Sequence, residues 1–351
     1  MSKLLTISIA AYNVEKTIEE CLDSFLTCKH LNELEILIIN DGSKDHTAEI
    51  VSDYEKKYPG ILYLINKENG GHGSTINKSL SLATGKFFKV VDGDDWVKPE
   101  ELDKLCDWLK KTDSDLVINA FRWCYPDKPY EEHDEKGFKL HHVYTFDEMY
   151  SVHGSNTSIF PMTAITISTE RLLKIDMHIK EKCFYADNEF LVFCGIAAET
   201  VSFDDSCVYQ YRMGQATQSV STEGFYRHLE DYFAIFGDLL DIYANRLPLF
   251  ESSSKEKYIF KFLEDYYNAL YMNMVDKIIK SDKDYLLIEN LQRCKQQYPK
   301  LYKNLRPHSI TVRFVAENPV KRISWMRRFR KTVIFSIFRA IKHIIKPAPE
   351  M

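Results

Sequence analysis

The chain has 351 residues, 45% of them apolar, and 46 basic against 51 acidic side chains give a net charge of −5. That length and apolar share support about two domains with real cores and exclude global disorder. The charge is unevenly spread: residues 318–346 carry nine Lys or Arg and no acid, which leaves the rest at −14, so an acidic body excludes a body-wide nucleic-acid surface.

No stretch approaches the roughly 20 apolar residues that span a bilayer. The opening run alternates like a strand, and Asn13, Glu15 and Lys16 follow too soon for a leader peptide. None of the eight cysteines forms a C-x-x-C pair. The zinc-ribbon and thioredoxin spacings are therefore missing, and the thiols read as reduced and mostly buried in a cytoplasmic protein.

Residues 4–11 read as a strand, and 15–27 as a helix with Ile18, Cys21, Leu22, Phe25 and Leu26 on one face. A continuous apolar run at 35–39 suits a buried parallel strand. Residues 47–58 are helical, 61–65 a strand, 74–83 a helix ended by Gly85, and 87–91 a strand. This alternation predicts a mostly parallel α/β sheet flanked by helices, with ligands beyond the carboxyl ends of the strands. A helix at 99–111 and a strand at 116–121 follow, and 122–150 looks like an excursion. Then come a strand at 164–168, helices at 169–173 and 187–198, and an edge strand at 208–212. From 224 to 305 the pattern is helical, with a loop at Ser252–Ser254. Three regions result: 1–220, a helical accessory region at 221–305, and a basic segment at 306–351.

The four loops after the first strands are polar. They contain Tyr12-Asn13-Val14-Glu15, Asn40-Asp41-Gly42-Ser43, Asn69-Gly70-Gly71-His72-Gly73, and Asp92-Gly93-Asp94-Asp95. Three carboxylates so close together repel unless a cation joins them. Mg²⁺ or Mn²⁺, completed by substrate phosphates and water, suits them. The competing reading is an acidic helix N-terminus.

With those motifs on one rim, the chain resembles a family 2 glycosyltransferase of the GT-A fold, a nucleotide-diphospho-sugar transferase. The landmarks are ISIAAYNVE at 7–15, INDGSKDHT at 39–47, NGGHGSTIN at 69–77, ATGKFFKVVDGDDWV at 83–97 and ADNEF at 186–190. The resemblance covers about residues 4–215. It implies that Ala11, Tyr12, Asn13, Glu15, Asp41, Asn77, Asp92 and Gly93 bind the donor, most often a UDP-sugar. It implies that Asp94 or Asp95 holds the metal and that Asp187 is the catalytic base of an inverting transfer to a glycan or lipid-linked hydroxyl. From residue type alone, Asp187 reads as a helix cap, and Glu189 competes with it. The family pattern is broken at Asn40, Ala186 and Ile76-Asn77, and an expected Arg in the Gly-rich loop is missing. Tyr209–Arg212 resembles the family's closing segment. A nucleotidyltransferase would show a Gly-rich, basic first loop, which 11–15 lacks. A non-catalytic membrane or scaffold protein on a degenerate fold is opposed by the retained acids.

From Asn318-Pro319 onward, apolar residues recur at steps of three and four, with cations on the opposite arc. This predicts an amphipathic helix over 319–346 that lies on an anionic membrane at the inner face of the cell; docking of its apolar face on the acidic body is the competing reading, and nothing else in the chain supports nucleic acid. The accessory helices are candidates for acceptor binding or homo-oligomer formation.

Overall fold

The computed structural model describes residues 3–153, 160–214, 222–246, 253–280 and 283–304, together with 318, 321, 322 and 328. The expected amphipathic helix over 319–346 therefore lies almost wholly outside the described residues. The chain divides into two compact units, 1–262 and 263–351.

In the first unit, β1 (Leu5–Ala11), β2 (Leu34–Asn40), β3 (Leu62–Asn66) and β4 (Phe87–Asp92) are parallel, in the order β3-β2-β1-β4. Leu5 lies level with Leu34 on one side and Phe87 on the other. Every residue of β2 is buried, the reason it reads as an unbroken apolar run. Helices α1 (Ile18–Leu26), α2 (Thr47–Lys57) and α3 (His72–Leu82) connect these strands. α1 buries Ile18, Cys21, Leu22 and Phe25, the stripe its spacing predicts. After the two-residue β5 (Trp96–Val97) comes α4 (Pro99–Leu109), with proline at its start and Leu102, Leu105, Cys106 and Leu109 buried. One core joins these faces to Val117, Val208 and Tyr209.

The second half of the sheet is mixed. β6 (Leu116–Cys124) runs three residues past its predicted end. β9 (Ile165–Ser168) slots antiparallel between β4 and β6. The predicted excursion contains β7 (Glu131–His133), β8 (Tyr144–Thr145) and α5 (Phe146–His153). α6 (Thr169–Lys174) and α7 (Asp187–Ala197) precede β10 (Thr200–Arg212). β10 corrects the prediction of a short edge strand: it is 13 residues long, with β6 on one flank and β5 and β8 on the other. Two reversals through β9 leave β6 and β10 parallel to β4, so all three aim their carboxyl ends at the same rim.

α8 (Thr222–Arg227) and α9 (Leu229–Arg246) follow, and α9 packs on α7. α10 (Ser253–Lys280) begins at the serines expected to form a loop. Its Tyr258 packs on Phe146 and Phe160. The first unit runs to residue 262. α11 (Asp284–Gln297) and α12 (Pro299–Asn304) lie in the second unit. No helix among the described residues is long and apolar enough to cross a membrane. All eight cysteines are buried and unpaired.

Candidate active site

The rim gathers the predicted carboxylates at the tip of β4. The chain leaves Asp92 at Gly93, whose N–H bonds the Ala10 carbonyl at 2.9 Å. Asp95 turns inward and is 1% exposed. It accepts hydrogen bonds from the Tyr209 hydroxyl at 2.6 Å and the Arg212 N–H at 2.7 Å. Burial, then the charges of Asp92 and Asp94, push its pKa up to about 9. Asp94 stays half-buried. Burial and Asp92 raise its pKa to about 6. The Arg212 guanidinium bonds the Asp94 carbonyl at 2.8 Å and Glu20 at 2.6 Å, and lies 4.6 Å from the Trp96 ring centre.

Asp41 is buried and holds the Gly-rich loop. It accepts from the N–H groups of Gly70 and Gly71 at 2.8 Å each, and from Lys67 Nζ at 2.7 Å. His72 opens α3, and its Nε2 is 3.0 Å from Asp92 Oδ1. Burial alone would lower the imidazole pKa; Asp92, Asp187 and Asp94 outweigh it and raise it.

The glycines of this loop make room for a second chain segment. Gly71 has φ +79, and Lys182 N–H bonds the adjacent Gly70 carbonyl at 2.5 Å. A Cβ on Gly73 would come within 2.2 Å of the Lys180 carbonyl. Asn77, expected at the donor, instead braces this crossing: its amide donates to the Ile179 carbonyl at 2.7 Å and accepts the Ile179 N–H at 2.9 Å. The braced segment leads directly to Asp187 in the first turn of α7. Asp187 is not the cap; Ala186 holds that position without any side-chain bond. Burial and Asp92 raise the Asp187 pKa, while His72 lowers it. Glu189 points elsewhere, accepting the Lys180 N–H at 2.6 Å.

The first loop is knitted to the second. Asn13 sits at φ 53, donates its N–H to Ser43 Oγ and accepts the Lys44 N–H. Glu15 accepts the His46 N–H. Ala11 is buried, and its carbonyl takes the Asp41 N–H at 2.9 Å. Tyr12 is left 50% exposed at the rim, free to stack on a ligand.

A cavity of about 540 Å³ is lined by Lys3, Gly85, Lys86 and Thr169 at the amino ends of β1 and β4. It lies at the opposite end of the sheet from these acids. His141, Asp204 and Asp205 bring ligand atoms within 4.8 Å of one another on a bulge of β10. There Asp204 is already bonded to His141 and Ser206.

Residues 6–168 match the model of the glycosyl transferase family 2. The uncharacterized glycosyltransferase RT0329 of Rickettsia typhi is 31% identical over 245 residues, 68% of this chain and 72% of that protein. The chain belongs to glycosyl transferase family 2. The uncharacterized glycosyltransferase EpsJ of Bacillus subtilis is 38% identical over 121 residues, but only 34% of this chain and 35% of that protein are aligned. Among solved structures, S. aureus TarS 1–349 in complex with UDP-GlcNAc matches with a TM-score of 0.62 at 20% identity, covering 92% of this chain and 88% of that one. The mannosyltransferase PcManGT from Pyrobaculum calidifontis, in complex with GDP-Man and Mn²⁺, matches at 0.50 and 17%, covering 87% and 84%. At such identities both speak for the GT-A fold alone.

Within this glycosyltransferase, three contributors escape a reading of the sequence. Lys67 pairs with Asp41. Tyr209 reaches Asp92 and Asp95 from more than 100 positions away. Lys89 is fully buried in β4, bonded to Asn119 and to the carbonyls of Thr163 and Ile165. Only Tyr209 leaves a signal, as part of the polar-aromatic run at the end of a strand.

Proposed function

We propose that this glycosyltransferase moves a sugar from a nucleotide-diphospho-sugar, in the first instance a UDP-sugar, to a hydroxyl with inversion. The observation that carries this reading is the meeting of two acid sets from distant parts of the chain. Asp92 and Asp94 stand at the tip of β4, and Asp187 stands across the Gly-rich loop, near enough that Asp92 raises the proton affinity of Asp187 and all three raise that of His72. An inverting transfer needs this arrangement: a leaving diphosphate on one side and a proton acceptor on the other. Asp187 takes the acceptor hydroxyl proton as its oxygen attacks the anomeric carbon in line. The donor's nucleoside diphosphate departs with the bonding pair. Burial makes Asp187 a stronger base than a free carboxylate.

The carboxylates of Asp92, Asp94 and Asp95 do not close into a cage, which fits Mg²⁺ or Mn²⁺ held by one or two carboxylates plus substrate phosphates. Asp94, half-buried and mutually repelled by Asp92, would hold it; Asp95 is committed to Tyr209 and Arg212 and frames the turn. The ion would neutralise charge developing on the leaving diphosphate. Tyr12, Asn13, Glu15 and Gly93 would line the nucleotide, with Asp41 fixing the loop beneath it. The acceptor would be a glycan or a lipid-linked glycan, the latter served by the basic segment 319–346.

A panel of nucleotide-sugars scored by thermal shift with and without Mn²⁺ tests the donor class. A true donor raises the melting temperature by mass action. We expect UDP-sugars to do so only with metal, and Asp94→Asn to lose that dependence. Failure of every nucleoside-diphosphate sugar to stabilise the protein contradicts the proposal.

A further inference from the structure

Between the crossing at Lys182 and the acid at Asp187 the chain runs Cys183-Phe184-Tyr185-Ala186. Lys182 at φ 53 and Tyr185 at φ 64 are both left-handed, and neither is glycine. Side chains of this size rarely adopt such backbone, and the strain persists where the surrounding structure enforces it for a task. The two kinks bracket Phe184, which is 47% exposed. An isolated exposed apolar residue needs no explanation by itself. Phe184 differs in being fixed: its ring stacks on His228, between α8 and α9, with centres 3.5 Å apart and planes at 22°.

The support of that ring is built from polar groups. His228 Nδ1 lies 3.5 Å from Asp231 Oδ2 in the first turn of α9. Asp231 in turn accepts from the Cys183 thiol, next to Phe184, at 3.7 Å. Tyr185 packs edge-on against Tyr232 at 5.4 Å. Burial, then the charges of Asp187 and Asp231, push the Tyr185 phenol up to about 12, so these rings and Asp187 share one environment. His228 covers one face of the Phe184 ring, and the exposed area therefore belongs to the opposite face and the edges. The Cα atoms of residues three apart are separated by at most about 11 Å, which puts Phe184 within a short oligosaccharide's reach of Asp187. The loops proposed for the donor follow β1, β2 and β4, and Phe184 lies on none of them.

We propose that the open face of Phe184 is the platform on which the acceptor stacks, as a pyranose ring that presents its hydroxyl to Asp187. The inference rests on the transfer reading above and names an acceptor-binding residue and the acceptor class for it. The group beside Asp187 must carry the attacking hydroxyl. A pyranose bears hydroxyls around its rim and an apolar C–H face, which matches a rigid aromatic ring among polar neighbours. An isoprenoid or acyl chain calls for a contiguous apolar surface, whereas this ring stands among Lys182, His228, Asp231 and Asp187. Phe184 is the specificity-determining residue here, and His228 is a positioning residue that holds its ring.

The test is an array of pyranose oligosaccharides probed with the full chain, with and without UDP and Mn²⁺. We expect Phe184→Ala to weaken glycan binding at least about tenfold. Phe184→Leu, apolar but not flat, should fall with it, and Phe184→Trp should keep most of the binding. His228→Ala should lose a smaller share, and His228→Phe, which keeps the stack, should restore it. UDP affinity should be the same in all variants. No glycan bound by the unaltered protein, unchanged binding by Phe184→Ala, or full binding by Phe184→Leu overturns the proposal. So does a matching fall in UDP affinity, which would make Phe184 a support of the whole rim. Failure of every form to bind UDP would instead sink the transfer reading, since the array without UDP still reports on the platform.

Discussion

Asp94 and Asp95 are adjacent and chemically identical, yet their surroundings give them different tasks. Asp95 is a buried carboxylate with two strong donors, Tyr209 and the Arg212 N–H. Removing one donor leaves a buried acceptor partly unmet, so Tyr209→Phe should cost about 1–3 kcal/mol of stability, read as a lower urea midpoint. Lys89 makes a second residue-scale prediction. Burial lowers its pKa to about 7, against about 10.4 in an unfolded chain. A depressed folded pKa means that the unfolded state binds the proton more tightly. The group's stability is present above pH 10 and is lost as pH falls toward 7. The difference in urea midpoint between Lys89→Met and the unaltered protein should therefore shift in the variant's favour from pH 10 to 7 and level off below. The acids were legible in the sequence because residue type and a preceding strand suffice to nominate them. Which of them faces inward was not, because that depends on Tyr209, which only folding brings near.

At the level of elements, the Gly-rich loop works mainly as a crossing point. Gly73 lets the Lys180 carbonyl approach, and Asn77 binds the Ile179 backbone at both ends of its amide. The crossing positions Asp187 on α7. Gly73→Ala places a methyl against a backbone carbonyl that has no rotamer to escape into. We predict that it lowers kcat tenfold or more, since small misplacements of a reacting group are expensive, while UDP affinity changes far less. Equal losses in both would assign Gly73 to the donor instead. The parallel half of the sheet was legible because strands buried on both faces read as apolar runs. The antiparallel course of β9 was not, since local pattern carries no strand direction. Nor was the length of β10: its bulge near Asp204–Cys207 interrupts the alternation that marks a strand.

For the whole molecule, the acidic body and the basic segment call for separate explanations. The five acids Asp41, Asp92, Asp94, Asp95 and Asp187 belong to the rim, and most of the remaining acidity is surface. We propose that the nine cations of 318–346 serve as an address for an anionic bilayer, worth about 1 kcal/mol per cation near the surface. Removing residues after 317 should abolish sedimentation with anionic vesicles and leave transfer to a soluble acceptor intact. If the shortened protein still sediments, the address lies in the body. The central claim, that Asp187 is the base of a metal-assisted transfer, is tested most directly by release of UDP from a UDP-sugar in the presence of Mn²⁺ and acceptor. Asp187→Asn should reduce that release at least about a hundredfold while UDP binding persists. Release at the unaltered rate by this variant would contradict the account.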